Sequence, residues 1–253
     1  MQKELASPPA ISICMPCYNA GEFIKECIES ILNQSFRDFE LLIADDGSTD
    51  NSLLIINSFN DKRIKLFKRE HDFIGNLNFL LDSSIGKYIA RMDADDIMLP
   101  ERLLTQFNYM ELHPEVDVLG GGMEYIGAKK GLFIPQVSSE NIRMEQMLTN
   151  NIISHPTVLI RRNSINEKKI RYENDYIYAE DYRIWIEMLK SGLKLDNLGT
   201  VLIKYRVSHK QNSVKYAKKQ SEVVKRIQDD IRNHIAQTKK YEQITYYNNP
   251  ISE

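Results

Sequence analysis

Three carboxylates fall within four positions at Asp93-Ala94-Asp95-Asp96, directly after the β-type run 88–92. Like charges this crowded repel one another and raise each other's pKa unless a cation lies between them. Mg²⁺ and Mn²⁺ suit such a place: they take carboxylate oxygens, one or two per site, and fill their other positions with water and substrate phosphate. The same residues could also be a solvated acidic loop capping the next helix. A second acidic pair, Glu180-Asp181, opens a later helical pattern. The helix dipole by itself favours acids there. A carboxylate from a distant part of the chain is also suited to take a proton from an attacking hydroxyl opposite a leaving group. Asp181 is the expected base, and Glu180 could exchange roles with it.

Four short apolar runs, each followed by a helical pattern, must position these acids: Ile11–Met15 then 21–34, Phe39–Ala44 then 49–59, Ile64–Lys68 then Phe73–Ser83, and 88–92 then 100–113. Strands alternating with helices of this length predict βαβ units and a largely parallel sheet. A fifth strand, 116–119, runs into Gly120-Gly121-Gly122, expected to be a loop or a place where backbone approaches a ligand. Beyond residue 123 the alternation stops. Antiparallel pieces with a turn at 127–131, a short helix near 140–148, a strand at 157–160, a helix from Glu180 and strands near 193–196 and 201–205 are expected there. This half completes the same domain, since no Pro/Ser/Gly-rich linker separates it. The expected organisation is therefore a domain of residues 1–213 in two halves, 1–122 and 123–213, followed by a helical extension, 214–253. In that extension Val224, Ile227, Ile231 and Ile235 form an apolar stripe on a basic helix. It could pack on the body, rest on an anionic membrane or make a dimer contact.

In open parallel sheets, ligands bind outside the carboxyl ends of the strands. Three polar clusters fall there: Pro16-Cys17-Tyr18-Asn19, Asp45-Asp46-Gly47-Ser48-Thr49-Asp50 and Asp93–Asp96. Each alone reads as a turn or helix cap; three at one sheet end point to a crevice. No G-x-G-x-x-G follows the first strand and no G-x-x-x-x-G-K-[ST] occurs, so neither common phosphate cradle is present. An EF-hand counted from Asp93 would need Gly at Met98 and Glu at Leu104. Phosphate binding through a carboxylate-held metal remains, and such an ion makes a diphosphate a good leaving group.

The bulk numbers bound the rest. A chain of 253 residues, 42% hydrophobic and 27% charged, is ordinary for a globular protein, and a net charge of −2 argues against a nucleic-acid binder. No apolar run reaches the ~20 residues of a membrane span, and the N-terminus lacks a secretory pattern, so a cytoplasmic protein is expected. Cys14, Cys17 and Cys27 include a C-x-x-C pair, but no second pair completes a zinc site and buried core thiols are expected.

With these residues in place, the stretch from Ile11 to Ser213 resembles the family 2 glycosyltransferases, inverting enzymes of the GT-A fold. The fragments that carry the likeness are Ile13–Asn19, Ile28–Ser35, Asp45–Asp50, Gly86–Asp96 and Glu180-Asp181-Tyr182, with His155-Pro156-Thr157 and Tyr205-Arg206 as further markers. The resemblance implies an α/β fold with a Rossmann-like, mostly parallel sheet, helices on both faces and a smaller antiparallel portion. It implies that 1–122 is the nucleotide-binding half and 123–213 the acceptor-binding half, and that Pro16, Tyr18 and Asn19 line the nucleotide pocket, with Asp45 on the base and Asp46 beside it. Asp93 and Asp95 match the family's D-x-D, Asp95 as the direct ligand of Mn²⁺ or Mg²⁺ and Asp93 nearer the ribose. Asp96 would border the donor sugar, and Asp181 matches the base position. Two departures stand out: His71-Asp72-Phe73 replaces a common Asn-x-Gly, and Ser208 takes the place of a histidine, leaving His209 as an open candidate ligand.

The expectation is a metal-dependent hexosyltransferase moving sugar from a nucleotide diphosphate, UDP-sugar favoured, onto a hydroxyl of a glycan or glycoconjugate. The resemblance also implies a bacterial polysaccharide or glycoprotein pathway. The alternative is a non-catalytic subunit that keeps the fold and binds a partner transferase, although a scaffold needs none of these acids. A phosphohydrolase with Asp93 as nucleophile is disfavoured, because no acid partner or Lys/Thr set surrounds it.

Overall fold

The computed structural model describes residues 7–135, 141–208 and 216–248, with side chains to residue 238. Four strands, β1 (Ile11–Cys17), β2 (Phe39–Asp45), β3 (Ile64–Lys68) and β4 (Tyr88–Arg91), run parallel in the order β3-β2-β1-β4. Between and after them lie α1 (Ile24–Leu32), α2 (Ser52–Asn57), α3 (Phe73–Ser83), the short β5 (Ile97–Met98) and α4 (Arg102–Leu112). The second half adds β6 (Val118–Gly127), β7 (Gly131–Phe133), β8 (Leu159–Arg161), α5 (Arg162–Glu167), α6 (Glu180–Lys190), β9 (Leu195–Val207) and α7 (Ala217–Asn248). It extends the same sheet in the order β4-β8-β6-β9-β5, with β7 also on β6.

The central strands read as continuous apolar runs because both faces are covered. Ile13, Met15, Leu41 and Ile43 pack with Ile24, Ile28 and Ile31 of α1 and Leu103 and Met110 of α4. The alternating residues Cys14, Leu42 and Ala44 pack with Leu77 and Leu80 of α3, Trp185 and Met188 of α6, and Ile227 and Ile231 of α7. Cys14, Cys17 and Cys27 are all buried, and burial raises the Cys14 and Cys17 thiols to about 12, so they serve as core residues.

The architecture is the mostly parallel α/β sheet with an antiparallel C-terminal portion that the sequence predicts. Three local expectations change. Gly120–Gly122 are not a loop but lie inside β6, where a Cβ on Gly122 would sit 2.7 Å from the Phe133 carbonyl oxygen and one on Gly121 2.4 Å from Leu202 Cδ1. The close approach is to neighbouring strands. The two strands expected near 193–196 and 201–205 are one strand, β9, whose register against β6 shifts around Gly120 to Met123. The expected helix near 140–148 is a 3-10 turn, Met144–Leu148.

In α7 the apolar stripe is turned inward. Ile227 and Ile231 are fully buried, with Val224 and Ile235 packed against the same core. Burial of this kind contributes about 1.5–3 kcal/mol per side chain. Packing on the body thus accounts for the stripe, and only the opposite, basic face is left for a membrane or a second copy. Among the described residues no helix is long and apolar enough to cross a membrane. The expected boundary at 213 and 214 lies outside the described residues.

Candidate active site

The registers bring the polar clusters to one end of the sheet. Cys17 is level with Asp45 across β1 and β2, and Cys14 is level with Arg91 across β1 and β4, with the Met92 N–H donating to the Cys14 carbonyl at 3.1 Å. The residues that follow each strand, Tyr18-Asn19, Asp45-Asp46 and Asp93–Asp96, therefore emerge on the same side.

At the first two strand ends the loops lock together. Asn19 takes a left-handed φ of +48°, which asparagine tolerates, and its Oδ1 accepts the Thr49 N–H at 2.8 Å while its own N–H donates to Ser48 Oγ at 2.9 Å. Gly47, at φ +79°, closes the turn. Asp45 is 2% exposed: its Oδ2 accepts the Ser48 N–H at 3.2 Å, and its Oδ1 has no partner among the described residues. A buried orphan acceptor at a strand end suits a ligand N–H. Asp46 is engaged differently. Its Oδ1 accepts the Asp72 N–H at 2.7 Å and an Asn76 amide N–H, and its Oδ2 pairs with His71 Nδ1 at 2.9 Å. Asp46 thus braces the start of α3, which Asp72 caps by accepting the Gly75 N–H at 3.0 Å. The His71 ring lies 4.8 Å from the half-exposed Tyr18 ring, so the residue that departs from the common Asn-x-Gly forms an aromatic rim with Tyr18.

The acidic loop after β4 rests on cations and on a thiol. Arg91, 5% exposed, pairs through Nη1 with Asp93 Oδ1. The Cys27 thiol donates to the Asp93 carbonyl at 3.3 Å. Asp96 is fully buried; its Oδ1 accepts the Arg206 N–H from β9 at 2.7 Å, its Oδ2 has no partner among the described residues, and burial with Asp93 and Asp95 raises its pKa. Arg206 also donates through Nε to the Asp95 carbonyl at 2.8 Å and pairs with Glu26 at 2.8 Å, tying β9 and α1 to the loop. Asp95 is partly exposed, and burial and Asp93 push it up to about 6. A carboxylate held this way gains from a bound cation.

The acids of α6 come to the same charge. Asp181 Oδ2 accepts the Asn151 amide N–H at 2.8 Å and Oδ1 the Tyr182 N–H at 2.8 Å. Burial raises its pKa, Arg91 opposes that, and Asp93 adds to it, so Asp181, Arg91 and Asp93 belong to one electrostatic unit. Burial and Asp181 bring Glu180 up to about 7, and its Oε2 has no partner among the described residues. Beneath them the buried His155 shares a 2.7 Å hydrogen bond between Nε2 and the Tyr172 hydroxyl, and burial and Arg91 hold it well below the usual histidine range.

The structure thus gathers Tyr18, Asn19, Asp45, Asp93 and Asp95 at one sheet end, and Arg91 at that end also lowers the pKa of Asp181. His209 lies outside the described residues. Among the described residues no three His, Cys, Asp or Glu side chains converge as a complete metal site. The donor set is that of an ion held by one or two carboxylates and completed by a ligand's phosphates. Sequence reasoning assigned no role to Arg91, His71 or Asn76, and placed Asn151 only in a loop, 151–157, expected to help set sugar specificity. A charge inside the apolar run 88–92 was the available signal for Arg91.

A mostly parallel sheet extended by antiparallel strands, with an acidic loop after β4 and an acid pair opening α6, defines a GT-A nucleotide-sugar glycosyltransferase. The chain belongs to glycosyl transferase family 2, whose model matches residues 12–170. It is 32% identical over 222 residues to WfgD of Escherichia coli, a UDP-Glc:alpha-D-GlcNAc-diphosphoundecaprenol beta-1,3-glucosyltransferase, covering 85% of each chain. The fold is similar to S. aureus TarS 1-349 in complex with UDP-GlcNAc (TM-score 0.68, 22% identity, 79% of this chain and 59% of that one). It is also similar to the mannosyltransferase PcManGT from Pyrobaculum calidifontis in complex with GDP-Man and Mn²⁺ (TM-score 0.62, 16% identity, 81% and 59%). The chain spans about three-fifths of those solved structures.

Proposed function

We propose that this chain is a metal-dependent, inverting hexosyltransferase that takes sugar from a UDP-linked donor and joins it to a hydroxyl of a glycan or glycoconjugate. The observation that carries this is the shared buried cation: Arg91 pairs with Asp93 at the end of β4, and the same guanidinium lowers the pKa of Asp181. In this reading Pro16, Tyr18 and Asn19 border the nucleotide, the orphan Oδ1 of Asp45 accepts an N–H of the base, and Asp93 lies toward the ribose. Asp95, with Asp93 nearby, would hold Mn²⁺ or Mg²⁺; when bound, the ion supplies positive charge that stabilises the departing diphosphate. Asp181 takes the proton of the acceptor hydroxyl as its oxygen attacks the anomeric carbon and the bond to the diphosphate breaks. A base placed opposite the leaving group gives inversion with no covalent intermediate. The raised pKa of Asp181 makes it a stronger base than a solvated carboxylate.

The UDP preference is supported by the donor in the printed name of WfgD and by the ligand of the TarS structure, and the metal by Mn²⁺ in PcManGT. A lipid-linked acceptor met in the cytoplasm at a membrane face belongs to the same proposal, since the WfgD acceptor is named as a diphosphoundecaprenol. The test is release of UDP from UDP-sugars with and without Mn²⁺. Asp95→Ala is expected to abolish the metal response, and Asp181→Asn to lower turnover by about a hundred-fold or more while UDP still binds. Full turnover in both variants would remove the mechanism.

A further inference from the structure

Asn151 is the one side chain outside α6 that touches Asp181 among the described hydrogen bonds, and its own orientation is fixed. Its Oδ1 accepts the Ile153 N–H at 3.2 Å, so its Nδ2 is the atom that faces Asp181 Oδ2 at 2.8 Å. The segment that carries it is pinned in turn. Asn197 of β9 donates through Nδ2 to the Ile152 carbonyl at 3.0 Å, and Ile153 is 1% exposed in the core. The Asn197 amide has room because residue 120 is glycine; a Cβ there would lie 2.3 Å from Asn197 Oδ1. A chain of contacts from the sheet through Asn197, the 151–153 segment and Asn151 thus ends on one carboxylate oxygen. The other oxygen accepts the Tyr182 N–H at the start of α6.

We infer that Asn151 is the positioning residue of the base: it donates to one oxygen of Asp181, sets the plane of the carboxylate and favours its ionised form, leaving the remaining lone pairs for the acceptor's hydroxyl. This rests on the assignment of Asp181 as base. A carboxylate with a donor on each oxygen keeps its charge in a buried setting, where desolvation works against it. The other groups that act on it are Arg91 and Asp93 from the β4 end, Glu180 beside it, and Tyr172 from the segment before α6. Arg91 supplies attraction without a direct bond among the described contacts, so orientation falls to Asn151.

Asn151→Asp separates positioning from structure. The new carboxylate still accepts the Ile153 N–H, so the segment keeps its anchor, but it faces Asp181 with charge in place of a donor. Asn151→Ala removes both contacts and serves as the second variant. In the full chain with Mn²⁺ and UDP-glucose, both variants are expected to lower the hydrolysis kcat by about ten- to a hundred-fold while KM and the calorimetric affinity for UDP stay within two-fold. In parallel, ¹³C-carboxyl NMR of Asp-labelled protein, with the Asp181 signal identified by its loss in Asp181→Asn, is expected to show the Asp181 titration midpoint moving upward in both variants. An unmoved midpoint in both overturns the inference whether or not Asp181 is the base. Full turnover in Asp181→Asn removes the base assignment instead, and the NMR result then stands apart from it.

Discussion

Arg91 pairs with Asp93 beneath the acidic loop, and its guanidinium lowers the pKa of Asp95, Asp96 and Asp181 alike. A buried cation shared by both acid groups offsets their charge without a ligand in place. Replacing it would change both halves of the site together.

The pair is also structural. Removing one member of a buried ion pair strands the other, at a cost of about 3–5 kcal/mol. Because the Asp93 side chain is 31% exposed and that of Arg91 only 6%, stranding the arginine is the costlier change. Asp93→Ala is expected to lower the unfolding free energy by about 3 kcal/mol in urea denaturation. A loss under about 1 kcal/mol would mean that other groups already compensate the guanidinium.

Asp95 should behave in the opposite way. Its folded pKa of about 6 lies above the ordinary value of 3.8, so the folded state holds more protons between the two, and stability falls as pH rises through that window. Asp95→Asn is therefore expected to unfold at a higher temperature than wild type at pH 7.5, with the advantage gone below about pH 4. Because a ligating carboxylate must be ionised, the thermal stabilisation by Mn²⁺ with UDP is expected at pH 7.5 and lost well below pH 6 in wild type, and absent throughout in the variant. A wild-type response that persists unchanged at pH 5 would separate the metal from Asp95.

The position of much of this candidate site was legible because ligand crevices of parallel sheets are local in sequence: polar clusters follow the strand ends, so Tyr18, Asn19, Asp45 and Asp93–Asp96 could be picked out from periodicity and turn residues. What escaped depends on distant partners. Asp46 has the same sequence signature as Asp45, yet only the packing of α3 decides that its oxygens go to Asp72, Asn76 and His71. Gly120–Gly122 read as a loop because glycine weakens strands in isolation, and their use for close packing emerges only when β9 and β7 are beside them. The contact of Asn151 with Asp181 became visible only once the fold brought the two within 2.8 Å, thirty positions apart.

Gly122 tests that account of the glycines. A Cβ there meets two backbone oxygens, those of Phe133 at 2.7 Å and Thr200 at 3.0 Å, which cannot rotate aside as a side chain could. Gly122→Ala is expected to cost about 1–3 kcal/mol and to loosen β7 from β6, read as faster amide exchange at Met123 and Phe133. Wild-type stability and exchange would show that the strands have slack there.

The C-terminal helix gives the last test, because packing and surface attachment make different demands on the same residues. Ile227 and Ile231 are fully buried against the sheet's α6 side, while Asp230 between them takes Arg183 at 2.7 Å and also pairs with Lys190, both on α6. Ile231→Ala removes a core side chain and is expected to cost about 2–5 kcal/mol. Asp230→Ala breaks pairs whose acid is 37% exposed, so solvent screening holds its cost to about 1 kcal/mol or less. If α7 were only an attachment device, both variants would unfold with wild type, and vesicle binding alone would change. If it completes the core, Ile231→Ala lowers the melting temperature several-fold more than Asp230→Ala, and differential scanning calorimetry of the two against wild type decides which.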